Sequence, residues 1–180
     1  CHTHLTMSLM RGYGGGHDLQ TWLNDYIFPV EAKLDSRAVR AGTALALAEA
    51  ISCGITSVSD MYYFCDDIIA EVVKSGISAN IARGATMFTD DFAPHPYPAC
   101  AESVALAETW HNYNDGQIKI DACIHGEYTS NPKLWAWMAN SSLASLLKKR
   151  DETYGEMEKV CVVSVLEYSS NSLMGLKESL

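Results

Sequence analysis

No histidine follows His125, no lysine or arginine run exceeds three residues, and no two cysteines stand in C-x-x-C spacing. The missing basic run, with a net charge of −9 and a pI near 5.0, excludes a surface built to neutralise phosphates, so no nucleic-acid partner is expected. The one basic cluster, Lys148-Lys149-Arg150, meets Asp151-Glu152 at once and reads as a solvated helix end. No apolar run approaches the roughly 18 residues that a membrane span needs, and no secretory signal is visible, so no membrane partner is expected either. The six cysteines (Cys1, Cys53, Cys65, Cys100, Cys123, Cys161) are scattered, which suits buried, reduced thiols and a cytoplasmic setting. The chain begins at Cys1 rather than Met, which points to processing or to a missing first part. An N-terminal Cys1 nucleophile finds no second residue to support it.

What is present starts at the first four residues, Cys1-His2-Thr3-His4. Side chains two apart on a strand leave the same face, so His2 and His4 would project together and can share one metal ion. The alternative is a pair of solvated histidines at a frayed end. With 180 residues, 48% of them apolar, the chain suits one domain with a real core.

Further along, Arg11 to Gly16 is a glycine-rich loop with no Gly-Lys-Ser/Thr after it, hence not a phosphate cradle. Leu19, Trp22, Leu23, Tyr26 and Ile27 have helical spacing, and Pro29 is expected to end that segment, leaving Glu31 in a connection. Ser36 is the expected N-cap of a helix over 37–52. Its stripe of Ala38, Ala41, Leu45, Ala48 and Ser52 is expected to lie on a sheet. Strands are expected over 55–61, 77–82 and 118–124, with helices over 66–74 and 101–113 and another opening at Pro132. Gly54, Gly76 and Gly116 punctuate the series.

Helix, glycine and strand repeated at near-constant spacing predict an α/β fold with a parallel sheet. Chemistry in such folds gathers at the C-terminal strand ends. That rule selects the His4 region, Asp60, Arg83 and His125, although Asp60 reads more simply as a buried, hydrogen-bonded aspartate than as a metal ligand.

The motifs resemble those of the metal-dependent amidohydrolase superfamily, and most closely its methylthioadenosine/S-adenosylhomocysteine deaminases. Cys1-His2-Thr3-His4-Leu5, Met7 to Tyr13, Trp22-Leu23, Pro29 to Leu34, Ser59-Asp60-Met61-Tyr62, Arg83-Gly84 and His125-x-x-Tyr128-Thr129 follow in family order over residues 1–140. The resemblance implies that His2 and His4 are metal ligands, for Zn2+ or another divalent metal such as Fe2+. It further implies that Glu31 takes the ribose hydroxyls of a small-molecule nucleoside, while Arg83 and His125 line the substrate pocket. The implied activity is hydrolytic deamination of an adenine nucleoside, with metal-acidified water as nucleophile. The H-x-E…P-C-x-x-C signature of the base-editing deaminases is absent.

The resemblance also implies a (β/α) barrel of TIM type, a third histidine ligand, a further histidine and a final aspartate ligand from the last strand, and no histidine follows His125. In the place of a His-x-x-Glu-Thr segment stands Lys149-Arg150-Asp151-Glu152-Thr153, with Glu152 where a proton-shuttling acid belongs. A full barrel takes about 250 residues and eight strands. The expectation is therefore an incomplete barrel of four or five βα units over 1–140, a divergent or truncated tail over 141–180, and a fragment inactive by itself. Its open strand edges favour association, including homo-oligomers. Alternatives are a guanine, cytosine or triazine specificity, or a non-catalytic remnant. Glu31 favours a ribosylated substrate.

Overall fold

The computed structural model describes residues 2–89 and 97–140. In order the elements are β1 (His2–Thr3), a 3₁₀ turn (Leu5–Met10), α1 (Leu19–Thr21), a π-helical stretch (Trp22–Ile27), α2 (Phe28–Glu31) and α3 (Ser36–Ser52). These are followed by β2 (Ser57–Tyr62), α4 (Cys65–Ser75), β3 (Ser78–Arg83) and α5 (Pro98–Trp110). The last are α6 (Tyr113–Gly116), β4 (Ile118–Asp121), a second 3₁₀ turn (Glu127–Thr129) and α7 (Pro132–Asn140). The four strands form one parallel sheet in the order β1-β2-β3-β4. Sequential parallel neighbours joined by helices are the repeating unit of a (β/α) barrel, and among the described residues this sheet is not closed.

The pleat divides the sheet into two unlike faces. Val58, Tyr62, Ala79, Ile81, Ile118 and Ile120 are buried together with Val39 and Leu47 of α3, Ile68, Ile69 and Val72 of α4, and Leu106 of α5. Residues of opposite parity turn away from the helices. There Met61, Ala82 and Cys123 make a small cluster of their own, while Ser57 and Ser78 are exposed.

Helix α3 departs from the sequence expectation. Asp35, not Ser36, is the N-cap, accepting the Ala38 N–H at 2.8 Å. The buried stripe is Val39, Gly42, Thr43, Leu47 and Ala50, while Ala41, Leu45 and Ala48 face solvent. Gly42 explains the rotation. It lies so close to the first 3₁₀ turn that a Cβ there would sit 2.6 Å from the Thr6 carbonyl oxygen and 2.9 Å from Leu9 Cγ. The Thr6 and Thr43 hydroxyls meet at 3.3 Å, and Ser8 Oγ donates to the Gly42 carbonyl at 2.8 Å. The turn that follows the histidines is thus seated on α3 through its smallest side chain.

Other boundaries move by a few residues. Pro29 does not end the Leu19 segment. It occupies the first turn of α2, where a missing N–H costs nothing, and the helix continues to Glu31. Strand β4 stops at Asp121, beyond which one isolated bridge, Ala85 to Ile124, extends the pairing. Cys53 is exposed, against the expectation of burial, whereas Cys65, Cys100 and Cys123 are buried. Burial pushes the Cys65 and Cys123 thiols up to about 12, which leaves both inert at neutral pH. Cys1, the strand expected over 160–168, and Lys149 and Glu152 lie outside the described residues.

Gly42→Ala tests the α3 contact. Alanine normally gains about 1 kcal/mol over glycine inside a helix. Here the clash with backbone is expected to reverse the sign, giving a net loss of about 1–3 kcal/mol in chemical denaturation.

Candidate metal and nucleoside site

Strand β1 places the first histidine and its pairing with β2 places the second. His2 stands opposite Ser59 and Thr3 opposite Asp60, so His2 takes the parity of Ser59 and Met61, away from the helices. His4 lies one residue beyond β1, yet keeps that side because its Nδ1 is bonded to the Met61 carbonyl oxygen at 2.6 Å. A carbonyl accepts only, so Nδ1 carries the proton and the lone pair of the neutral ring sits on Nε2. The His2 and His4 ring centroids are 4.7 Å apart, edge to face. His125 comes in from beyond β4, its ring nearly parallel to that of His4 at 6.4 Å.

His125 has its own orienting partner. Its Nδ1 lies 2.8 Å from Thr129 Oγ1, and the Thr129 hydroxyl donates to the Gly126 carbonyl at 3.3 Å. The hydroxyl therefore accepts from the Nδ1–H of His125. Burial, and then the neighbouring His4 and His2, lower the His125 pKa, so this imidazole is uncharged at neutral pH.

The donor set fits a divalent metal in part. Two imidazoles of one parity, one with its tautomer fixed by a backbone carbonyl, are the outer-sphere arrangement of histidine metal ligands. Among the described residues, however, no group of three His, Cys, Asp or Glu side chains is placed to hold a metal ion. Among the described residues, His2 and His4 are thus candidates for two of the three ligands that a catalytic zinc takes from protein.

His4 and His125 open on a cavity of about 90 Å³. Its other wall is the segment over 19–31, which contributes Leu19, Trp22, Leu23 and Glu31. Glu31 is no surface carboxylate. It is partly buried, and the Tyr62 hydroxyl donates to its Oε1 at 2.6 Å. Burial raises the Glu31 pKa, opposed by the Tyr62 hydrogen bond. The sequence reading missed Tyr62, although an aromatic hydroxyl at the end of β2 was there to be weighed.

Arg83 goes elsewhere, contrary to the expectation of a shared cavity. It has the parity of Ala79 and Ile81, which pack under the helices, whereas His125 has the parity of Cys123. Its guanidinium lies 4.8 Å from the Tyr63 ring centroid and its Nε donates to Glu102 of α5 at 2.5 Å. Arg83 lines a separate cavity of about 450 Å³ with Tyr63, Phe64 and Glu102. That cavity is the larger, but it holds neither imidazole. Tyr63 lines both.

Asp60 is buried and hydrogen-bonded as its simpler reading expects, 1% exposed, but it lies inside β2 rather than at its end, on the helix side. Its Oδ1 accepts the Leu5 N–H at 2.6 Å and the Thr3 hydroxyl at 2.9 Å, and Thr3 Oγ1 is also 3.1 Å from the Ser59 carbonyl. Asp60 Oδ2 has no hydrogen-bond partner among the described residues. Burial pushes this carboxyl up to about 7, against the pull of its two donors.

Removing the Tyr62 hydroxyl isolates the role of that bond. Tyr62→Phe is expected to cost about 1–2 kcal/mol in denaturation, the usual loss for a hydrogen bond to a charged group that water can partly replace. The Glu31 carboxyl, freed of the donor that opposes burial, is expected to titrate at higher pH. NMR titration of the Glu31 side chain checks this.

Known proteins resemble this chain in sequence and in fold. A 5′-deoxyadenosine deaminase of Methanosphaera stadtmanae is 38% identical over 134 residues, covering 74% of this chain and 31% of that protein. A 5-methylthioadenosine/S-adenosylhomocysteine deaminase of Dictyoglomus thermophilum is 33% identical over 162 residues, covering 88% of this chain and 37% of that one. The chain thus spans about a third of the length of these relatives. Among solved structures, an adenosine deaminase from Xanthomonas campestris with bound zinc superposes with a TM-score of 0.62 at 26% identity, over 85% of this chain and 33% of that one. The E. coli guanine deaminase, 21% identical with a TM-score of 0.59, shares the fold. The model of the amidohydrolase family matches residues 1–152, and the chain belongs to that family.

Proposed function

We propose that this chain forms the metal-binding and ribose-binding side of a hydrolytic deaminase for adenine nucleosides of the methylthioadenosine, S-adenosylhomocysteine or 5′-deoxyadenosine type. The observation that carries the reading is His4, its Nδ1 bonded to the Met61 carbonyl, beside His2 and opening on the cavity that Glu31 lines. The relatives named for these substrates support it. His2 and His4 would hold a divalent metal, zinc or iron, which when bound would acidify a water for displacement of ammonia from an aminated ring carbon.

The other residues bind and orient. The Glu31 carboxylate, whose ionised form the Tyr62 hydroxyl favours in opposition to burial, accepts hydrogen bonds from vicinal ribose hydroxyls. Uncharged His125, its ring fixed by Thr129, offers an imidazole to the base edge. The apolar side chains Leu19, Trp22 and Leu23 exclude water from the opposite wall. Arg83 touches the same substrate only if a 5′ substituent extends past Tyr63 into the neighbouring cavity.

Zinc titration of the purified chain is expected to give one weak site, lost in His2→Ala and in His4→Ala, because two ligands bind less tightly than three. By itself the chain is expected to release no ammonia from methylthioadenosine or S-adenosylhomocysteine. Joined to the remaining strands of a relative, it is expected to bind zinc tightly and to deaminate. In that form Glu31→Gln should raise the KM for methylthioadenosine at least about tenfold. Zinc binding indifferent to both histidines would overturn the reading.

A further inference from the structure

We propose that Asp60 is the positioning residue of the histidine pair, one carboxylate oxygen on the helix side of the sheet setting the direction of two imidazoles on the other side. The inference rests on the reading of His2 and His4 as metal ligands.

The geometry is that of a clasp across two strands. Among the described residues, strand β1 is two residues long and pairs with β2 at His2 and Thr3 alone, too little ladder to fix its own end. Beyond Thr3 the chain enters a 3₁₀ turn with His4 at its N-cap position in a non-helical conformation (φ −126°, ψ 79°), and no side chain caps that turn locally. The orphan N–H of Leu5 is instead taken by Asp60 Oδ1 from the neighbouring strand. The same oxygen receives the Thr3 hydroxyl. Residues 3 and 5 are thereby drawn to the helix side, and by alternation residues 2 and 4 must face the other way. The His4 bond to the Met61 carbonyl, one residue beyond Asp60 on β2, is made possible by that fixed register.

Packing alone does not account for Asp60. Its neighbours on that parity of β2 are Val58 and Tyr62, buried in the main core, and an apolar residue would suit the position better. Leaving Oδ2 buried and unpartnered costs about 1–3 kcal/mol. A carboxyl kept at that cost has a use for its other oxygen, and both groups bonded to that oxygen flank His4.

Three variants of the full 180-residue chain test this: Asp60→Ala, Asp60→Asn and Val58→Ala. The asparagine side chain keeps an acceptor oxygen for Leu5 and Thr3. Val58→Ala weakens the same strand without touching the clasp. Zinc affinity is measured by competition with a chromophoric chelator, and the His4 tautomer by ¹⁵N NMR of the imidazoles. Asp60→Ala is expected to weaken zinc about 10–100-fold, the range seen when outer-sphere partners are removed, and to abolish the Nδ1–H tautomer preference of His4. Asp60→Asn is expected to stay close to wild type in both readouts, and so is Val58→Ala while the chain remains folded. Equal zinc loss in Asp60→Ala and Val58→Ala, or an unaltered His4 tautomer in Asp60→Ala, would overturn the proposal while the deaminase reading stands. If Asp60→Ala fails to fold, Thr3→Val removes one of the two clasp bonds, and it must shift the His4 tautomer for the proposal to survive. A wild-type chain that binds no zinc would overturn the deaminase reading and this inference together.

Discussion

The pleat of a parallel strand allows each residue one side of the sheet, and the arrangement of this molecule follows from that allocation. On one side the odd or even set of each strand is mainly apolar, with Thr3, Asp60 and Arg83 among its polar members, and is sealed by α3, α4 and α5. On the other side the complementary set is mainly small or polar, Met61 excepted, and the imidazoles converge there. A shift of one residue in the pairing of β1 with β2 would carry both histidines under the helices, where neither metal nor substrate could reach them. The hydrogen bonds that cross from β1 and its turn to β2 hold against that slip, because a two-residue strand cannot do so through its ladder.

The same allocation separates residues that are close in space. Arg83 and His125 both stand at the strand ends of one sheet, and reasoning by edge alone groups them. Reasoning by face divides them. Arg83 follows Ile81 toward the helices and finds Glu102 and Tyr63, whereas His125 follows Cys123 toward His4. The division yields two adjoining cavities of different character, one holding an ion pair and an aromatic face, the other imidazoles and a carboxylate.

Much of this was legible in the sequence. The βα order followed from apolar runs punctuated by Gly54, Gly76 and Gly116, and the histidine pair from two-residue spacing. The parity of Arg83 was legible as well, since Ala79 and Ile81 mark the apolar face, but the strand-end rule carries no information about faces. Other features depended on distant partners. The buried stripe of α3 is set by how closely Gly42 meets the Thr6 carbonyl, and alanines at helical spacing could not disclose that contact. The burial of Glu31 depends on Tyr62, 31 positions away, and on a proline that starts a helix rather than stopping one. Asp60 looked like an edge residue because its partners belong to another strand.

The π-helical stretch between α1 and α2 has a consequence for the cavity wall. Leu19, Leu23, Ile27 and Glu31 recur every four residues and all line the cavity. In a continuous α-helix of 3.6 residues per turn, a four-residue stripe advances about 40° at each step and would wind away from the imidazoles. A π turn is wider, so within it the same stripe drifts in the opposite sense. Alternating the two pitches offsets the drift, and all four side chains stay on the side that lines the cavity. One end of that stripe is aliphatic and the other is a carboxylate, so the wall is polarised along its length. A ligand lying against it is offered an apolar end and a hydrogen-bonding end, an orientation cue that precedes any contact with the histidines.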